Sequence, residues 1–270
     1  MTTPSVPAPD AVDRLLQWLQ TEDTVVVGGQ AVALWAEHLG VVDGRPSITS
    51  DIDFYGMRAD VEEASRNLAG VSHDVNVATF DDATVNSGTI VIHRGAVAGL
   101  ATDLTVDYLH SVLGLNGPDI QSRAVALLVG GSRVRVLHPV LLLESKIANL
   151  GALPRTRNDA GLTQVRLAVA IVGAFMRRYS GWTPETRRAF LDTAERLGRL
   201  GRADVAHFAF HVFGIDVLAA CPTELAPADS EFALRRWPQV VAAVAERREA
   251  FRRHLPASPT PEATRTLRVG

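Results

Sequence analysis

Two aspartates one residue apart stand in the run Ser50-Asp51-Ile52-Asp53-Phe54. On a β-strand, alternate residues share a face, so both carboxylates would aim at one volume. Paired hard oxygen ligands suit divalent cations that also carry phosphates, and the spacing points to a metal site. Upstream, Val25-Val26-Val27 runs into Gly28-Gly29. A strand ending in glycines before a helix lets the backbone approach a phosphate closely, and the helix N-terminus favours its negative charge. No Gly-Lys-Ser/Thr follows, which excludes a Walker-type loop.

Holding two metals calls for a third acid, and Thr102-Asp103-Leu104-Thr105-Val106-Asp107-Tyr108-Leu109 offers two. Asp107 lies between Val106 and Tyr108, the setting of a carboxylate aimed out of a central strand, whereas Asp103 reads as a strand-end cap. Asp107 is therefore the expected third ligand. Lys146 is the one lysine in a chain whose Lys and Arg total 27. A compact ammonium suits a crowded triphosphate better than a planar guanidinium does. His207 and His211 have the one-turn spacing of a zinc helix, but Phe208-Ala209-Phe210 between them lacks the glutamate of His-Glu-x-x-His, and they read as core or helix-face residues. The arginine pairs at 177–178, 187–188, 235–236, 247–248 and 252–253 read as solvated helix faces or a nucleic-acid groove.

Those residues need elements to position them. Hydrophobic periodicity predicts a helix over 10–20, a strand at 25–27, a helix at 31–39 after the glycine turn, a strand at 52–54 and a helix over 59–69. Strands follow at 75–80, 89–93 and 104–109, and a hairpin pairs 123–129 with 133–137 across Gly130-Gly131. From Pro139 the pattern is helical, with segments at 140–150, 161–179, 184–197, 202–213 and 238–254. The expected architecture is α+β, a short mixed sheet flanked by helices over 1–138, then a helical domain over 139–255 and a flexible tail over 256–270.

At 270 residues and 47% hydrophobic content, the chain can bury a sizeable core. No apolar run is expected to reach a membrane span, and Met1-Thr2-Thr3-Pro4 lacks the regions of a signal peptide. The cytoplasm is the expected location, with no membrane partner. A lone Cys221 excludes a disulfide framework and a cysteine zinc site. Charge is divided unevenly: residues 1–150 carry 9 Lys and Arg against 18 Asp and Glu, and residues 151–270 carry 18 against 12. An acidic, metal-binding part beside a basic part suits phosphate-rich partners.

Gly-Gly, then Asp-Ile-Asp, then Val-Asp-Tyr resembles the signature of the polymerase-β-like nucleotidyltransferase superfamily. The stretch from Leu137-His138-Pro139 through Lys146-Ile147-Ala148-Asn149-Leu150 to Arg155, Arg157 and Asp159 is similar to the AbiE-type, abortive-infection nucleotidyltransferase toxins of toxin–antitoxin systems. This chain has Gly29 where many members have a serine, and Leu162 where the AbiE pattern often has another acid. The resemblance implies a nucleotidyltransferase fold and transfer of an NMP from an NTP to a hydroxyl acceptor, with pyrophosphate released. Asp51, Asp53 and Asp107 would hold two Mg²⁺ ions, and Asp107 would help take the acceptor proton. Gly28 and Gly29 would cradle phosphates, and Lys146 would neutralise the leaving pyrophosphate. Arg157 and Asp159 would orient Lys146 or touch the acceptor. An RNA or tRNA acceptor fits the toxin resemblance and the basic half, with a cognate antitoxin protein as a further partner. The alternatives are an aminoglycoside-like antibiotic as acceptor, and a non-catalytic binding module or antitoxin that keeps the fold.

Overall fold

The computed structural model describes residues 7–79, 81–179 and 181–255; the tail expected at 256–270, and Phe80 of an expected strand, lie outside them. The chain divides into two compact units, Met1–Leu142 and Leu143–Gly270. The boundary expected before Pro139 falls at the first residue of the helix that carries this division.

The first unit is α+β. Its elements run α1 (Pro9–Leu19), β1 (Val25–Val27), α2 (Gly28–His38), β2 (Ile52–Tyr55), α3 (Arg58–Asn67), β3 (His73–Val77), β4 (Asn86–Ile92), β5 (Leu104–Leu109), α4 (Gly117–Arg123), β6 (Val125–Val129) and β7 (Ser132–Val136). The strands form one mixed sheet in the order β3-β4-β5-β2-β1-β7-β6. β2 runs parallel to β5 and β1 parallel to β7, while the other neighbours are antiparallel. The sheet has two chemically distinct faces at its centre. Ile52, Phe54, Val106 and Tyr108 are fully buried on one of them, with Phe54 and Tyr108 stacked at 5.2 Å. α1 covers that side with Val12, Leu15, Leu16 and Leu19, and the Tyr108 hydroxyl donates to the Leu19 carbonyl at 2.8 Å. That bond satisfies one of the carbonyls a helix end leaves unpaired. Burial raises the Tyr108 pKa further from the neutral range.

Two details correct the sequence expectation. Gly28-Gly29 is not a turn ahead of the second helix but its first two residues. Val27 is extended and Gly28 takes φ +65°, so one residue with a left-handed backbone swings strand directly into helix. The helix α4 was not expected, because Gly117-Pro118 reads as a breaker. Proline is tolerated at a helix start, where its missing N–H has no partner to lose, and the Asn116 side chain caps the Asp119 N–H at 2.8 Å.

The second unit is helical, from the later part of α5 (Pro139–Ala152) through α6 (Asp159–Met176), α7 (Pro184–Gly201), α8 (Asp204–Phe213) and α9 (Trp237–Arg252). A wider helical turn at Phe232–Arg236 leads into α9. Its core gathers Val165, Ala168, Ile171 and Val172 of α6 with Phe190, Leu197 and Phe208. Small residues set close approaches: a Cβ on Gly198 would stand 2.9 Å from Val240. Cys221 is buried, and its thiol is pushed up to about 12, the inert group expected of it. No unbroken apolar run of membrane-spanning length occurs in α6, where Asp159, Thr163, Gln164 and Arg166 interrupt it. α6 has a mean hydropathy of 1.3 over 18 residues and is long and apolar enough to cross a membrane by those measures. Its two charges, Asp159 in the first turn and the isolated Arg166, do not lower the average enough to exclude it. A core helix passes the same test, and about a third of α6 is buried inside the fold.

Candidate metal and nucleotide site

Strand register brings two of the three predicted acids together. Asp53 on β2 is the direct neighbour of Asp107 on β5, and paired residues of adjacent strands project from the same side of the sheet. That side is opposite the stacked Phe54 and Tyr108. Asp51 precedes β2 by one residue, and its carboxylate accepts a hydrogen bond from the Thr49 hydroxyl. All three aspartates are half-buried. Asp103, the rejected candidate, caps the loop before β5 by accepting from the Arg94 N–H at 2.8 Å.

The glycine pair closes on the same place. A Cβ on Gly28 would overlap the Asp53 carboxylate outright, and one on Gly29 would stand 2.6 Å from the Thr49 Cβ. The first backbone N–H groups of α2, which have no partner within the helix, therefore lie beside the Asp53 carboxylate with no side chain between. An anion brought here by a cation on Asp53 would meet the positive end of the α2 dipole.

Asp107 has partners that the sequence did not disclose. The Asn86 amide donates to its Oδ1 at 2.9 Å, and the Thr89 hydroxyl donates to the same oxygen at 2.7 Å. Residues three apart on a regular strand face opposite ways. β4 is irregular: Gly88 pairs with Tyr108 and Asn86 with Leu109, so Ser87 is an extra residue in the ladder. This bulge restores Asn86 to the side of Thr89. The two donors fix one Asp107 oxygen and leave Oδ2 without a hydrogen bond among the described residues. A polar recess of about 410 Å³ adjoins them, lined by Asn76, Asp82, Thr84, Asn86 and Thr89.

Donor chemistry fits magnesium. Among the described residues no group of three or more His, Cys, Asp and Glu is placed to hold a metal ion by itself. Mg²⁺ does not require such a group, because it keeps several waters and is bound through one or two carboxylates together with substrate phosphates. Asp51, Asp53 and Asp107 would supply hard oxygens, and the Gly28-Gly29 helix start would leave room for phosphate.

Lys146, Arg157 and Asp159 belong to the second unit and make a separate constellation. Lys146 on α5 is 8% exposed, and its Nζ donates to Gln164 Oε1 of α6 at 2.7 Å. It lines a recess of about 290 Å³ with Asn149, Arg155, Asn158 and Gln164. Arg155, rather than the predicted Arg157, is the arginine in that lining. Arg157 donates to the Leu150 and Gly151 carbonyls at 3.0 and 2.8 Å, closing the end of α5, and lies 4.8 Å from the Phe208 ring centre. Burial holds its pKa below the usual arginine value. Asp159 is the exposed first residue of α6, where a negative charge complements the helix dipole; the preceding Asn158 caps that helix by accepting from the Gly161 N–H.

No family model matches this chain, and no curated protein matches it in sequence. Among solved structures it is similar to the Megavirus polyadenylate synthase, at 14% identity and a TM-score of 0.37, over 59% of this chain and 31% of that one. The match thus spans about a third of the viral protein's length, a likeness too distant to bear on activity.

Proposed function

We propose that the protein is a nucleotidyltransferase of the polymerase-β-like kind, moving an NMP from an NTP to a hydroxyl acceptor. The observation that carries this reading is the register match of Asp53 with Asp107, with Gly28 pressed against the Asp53 carboxylate. An acid pair with a helix N-terminus and no side chain between them is what a metal-bound triphosphate requires.

In this reading Asp51, Asp53 and Asp107 would hold the Mg²⁺ that carries the triphosphate, and the backbone N–H groups of Gly28 and Gly29 meet its phosphates. Magnesium, when bound, neutralises the phosphate charge and stabilises attacking and leaving oxygens. The acceptor oxygen forms a bond to the α-phosphorus, the bond from that phosphorus to the bridging oxygen breaks, and pyrophosphate departs. Asp107, fixed through Oδ1 by Asn86 and Thr89, takes the acceptor proton on Oδ2. Lys146 is assigned to the leaving pyrophosphate. The acceptor is an RNA such as tRNA, and the AbiE-type resemblance makes the enzyme the toxin of a toxin–antitoxin pair acting in the cytoplasm, with an antitoxin protein as partner.

Incubation with Mg²⁺ and each α-labelled NTP, with total tRNA, aminoglycosides or protein added in turn, tests the reading. Label on RNA supports it in full. Label on a drug alone keeps the chemistry and replaces the acceptor, and no label with any NTP or acceptor overturns it.

A further inference from the structure

Several arginines of the second unit are ion-paired. Arg196 binds Glu144 at 2.6 Å, Arg248 binds Asp216, Arg252 binds Glu249 at 2.8 Å and Arg177 binds Glu224 at 3.1 Å. Arg187 and Arg188 differ: among the described residues neither side chain has an ion pair or hydrogen bond. Both border a cleft of about 870 Å³ between α7 and the α9 segment, and Arg202 and Arg236 border it too. Two acids, Asp192 and Glu195, share the rim; Arg236 has Glu231, and Glu195 has Arg199, each at 3.6 Å, which leaves Arg187 and Arg188 as the rim cations with neither an ion pair nor a side-chain hydrogen bond among the described residues. The floor is apolar, formed by Leu191, Val240 and Ala243 with Trp237. The Trp237 ring is stacked on the buried Phe232 at 5.6 Å and held in place.

This combination selects its ligand. The volume lies within the range of sites that enclose organic groups, about 300–1,000 Å³. Arginine pairs with phosphate through two parallel N–H donors, and a flat apolar floor receives a ring face. A duplex keeps its bases turned inward, whereas a single strand offers bases for stacking and phosphates on either side. We propose that the α7–α9 cleft binds single-stranded polynucleotide, one base resting on the floor beside Trp237 and the flanking phosphates paired with Arg187, Arg188 and Arg236. This deepens the transferase reading by naming where the acceptor strand is gripped, and it rests on that reading for the purpose of the cleft.

Fluorescence anisotropy with a short fluorescein-labelled single-stranded RNA, its DNA counterpart and the corresponding duplex, without NTP or Mg²⁺, tests the binding. The full-length protein should bind both single strands more tightly than the duplex. Arg187→Ala with Arg188→Ala should lower the slope of log affinity against log salt by about two, one for each phosphate-binding guanidinium removed. Ala243→Phe, which fills the floor without removing charge, should weaken binding about fivefold or more, the lower end of what one stacked base contributes. Circular dichroism and thermal melting of each variant confirm that it is folded. Unchanged binding by both folded variants, equal affinity for the duplex, or displacement by AMP or inorganic phosphate with no binding of any strand would each overturn the proposal. Strand binding with no NTP labelling overturns the transferase reading alone, whereas labelling of an RNA that the cleft variants bind normally overturns the cleft alone.

Discussion

Asp107 carries two hydrogen bonds on a single oxygen, and each bond to a charged acceptor contributes about 1.5–3 kcal/mol. Asn86→Ala combined with Thr89→Val should let that carboxylate turn, raising the Mg²⁺ concentration needed for half-maximal labelling and lowering the yield. Thr89→Ser, which keeps the hydroxyl, should restore most of both; a Mg²⁺ titration of labelling reads the difference. Asp53→Asn should abolish labelling while thermal melting shows the fold retained, because the amide occupies the same space without the charge a metal requires. Gly28→Ala is harsher. It asks an alanine to hold φ +65°, costing about 1–2 kcal/mol, and drives a methyl group into the Asp53 carboxylate. The melting temperature should fall by several degrees and labelling should disappear. That Asp53 and Asp107 turn away from the buried face was legible, because each stands between apolar neighbours and side chains alternate along a strand. Asn86 and Thr89 were not, since their odd spacing placed them on opposite faces until the Ser87 bulge reversed the parity. Nor was Arg157's service to the α5 carbonyls, which depends on where that helix stops.

Among the helices, α8 holds a less comfortable residue. His207 is 1% exposed, its ring lies 5.7 Å from that of Phe251, and neither ring nitrogen makes a hydrogen bond among the described residues. Burial holds its pKa below the ordinary histidine value, with Asp204, Arg248 and His211 as the charged and titratable neighbours. The unfolded chain then takes up a proton near pH ~6.5 that the folded side chain refuses. The unfolded state binds more protons in that window, so stability is full above it and declines as pH falls. Urea unfolding followed between about pH 7.5 and pH 5 should show this loss, and His207→Phe should flatten it. The reading of His207 as a core or helix-face residue resolves to the core, and the seven strand-like runs anticipated the seven strands. α4 escaped notice because a proline at its start looks, in a sequence, like the end of something.

For the molecule as a whole, the charge split survives the change from an arbitrary cut to the physical one. Residues 1–142 hold 8 Lys and Arg against 17 Asp and Glu, and residues 143–270 hold 19 against 13, net charges of −9 and +6. A unit of net charge −9 repels a phosphate backbone, so on the proposed function acceptor capture should depend on the basic unit and weaken steeply with salt. Labelling of RNA measured across a salt series should therefore fall much faster than labelling of a neutral hydroxyl acceptor. The composition that produced this split has a practical side. With every other long cationic residue an arginine, the chain has one side-chain amine, and the fold keeps it 8% exposed in the recess beside Gln164. An amine-reactive ester should modify Lys146 slowly in the native protein and rapidly in urea, with peptide mapping to read the site. The unaltered chain thus carries one side-chain reporter, which peptide mapping separates from the α-amine, and a ligand that settles over that recess will announce itself as an amine withdrawn from acylation.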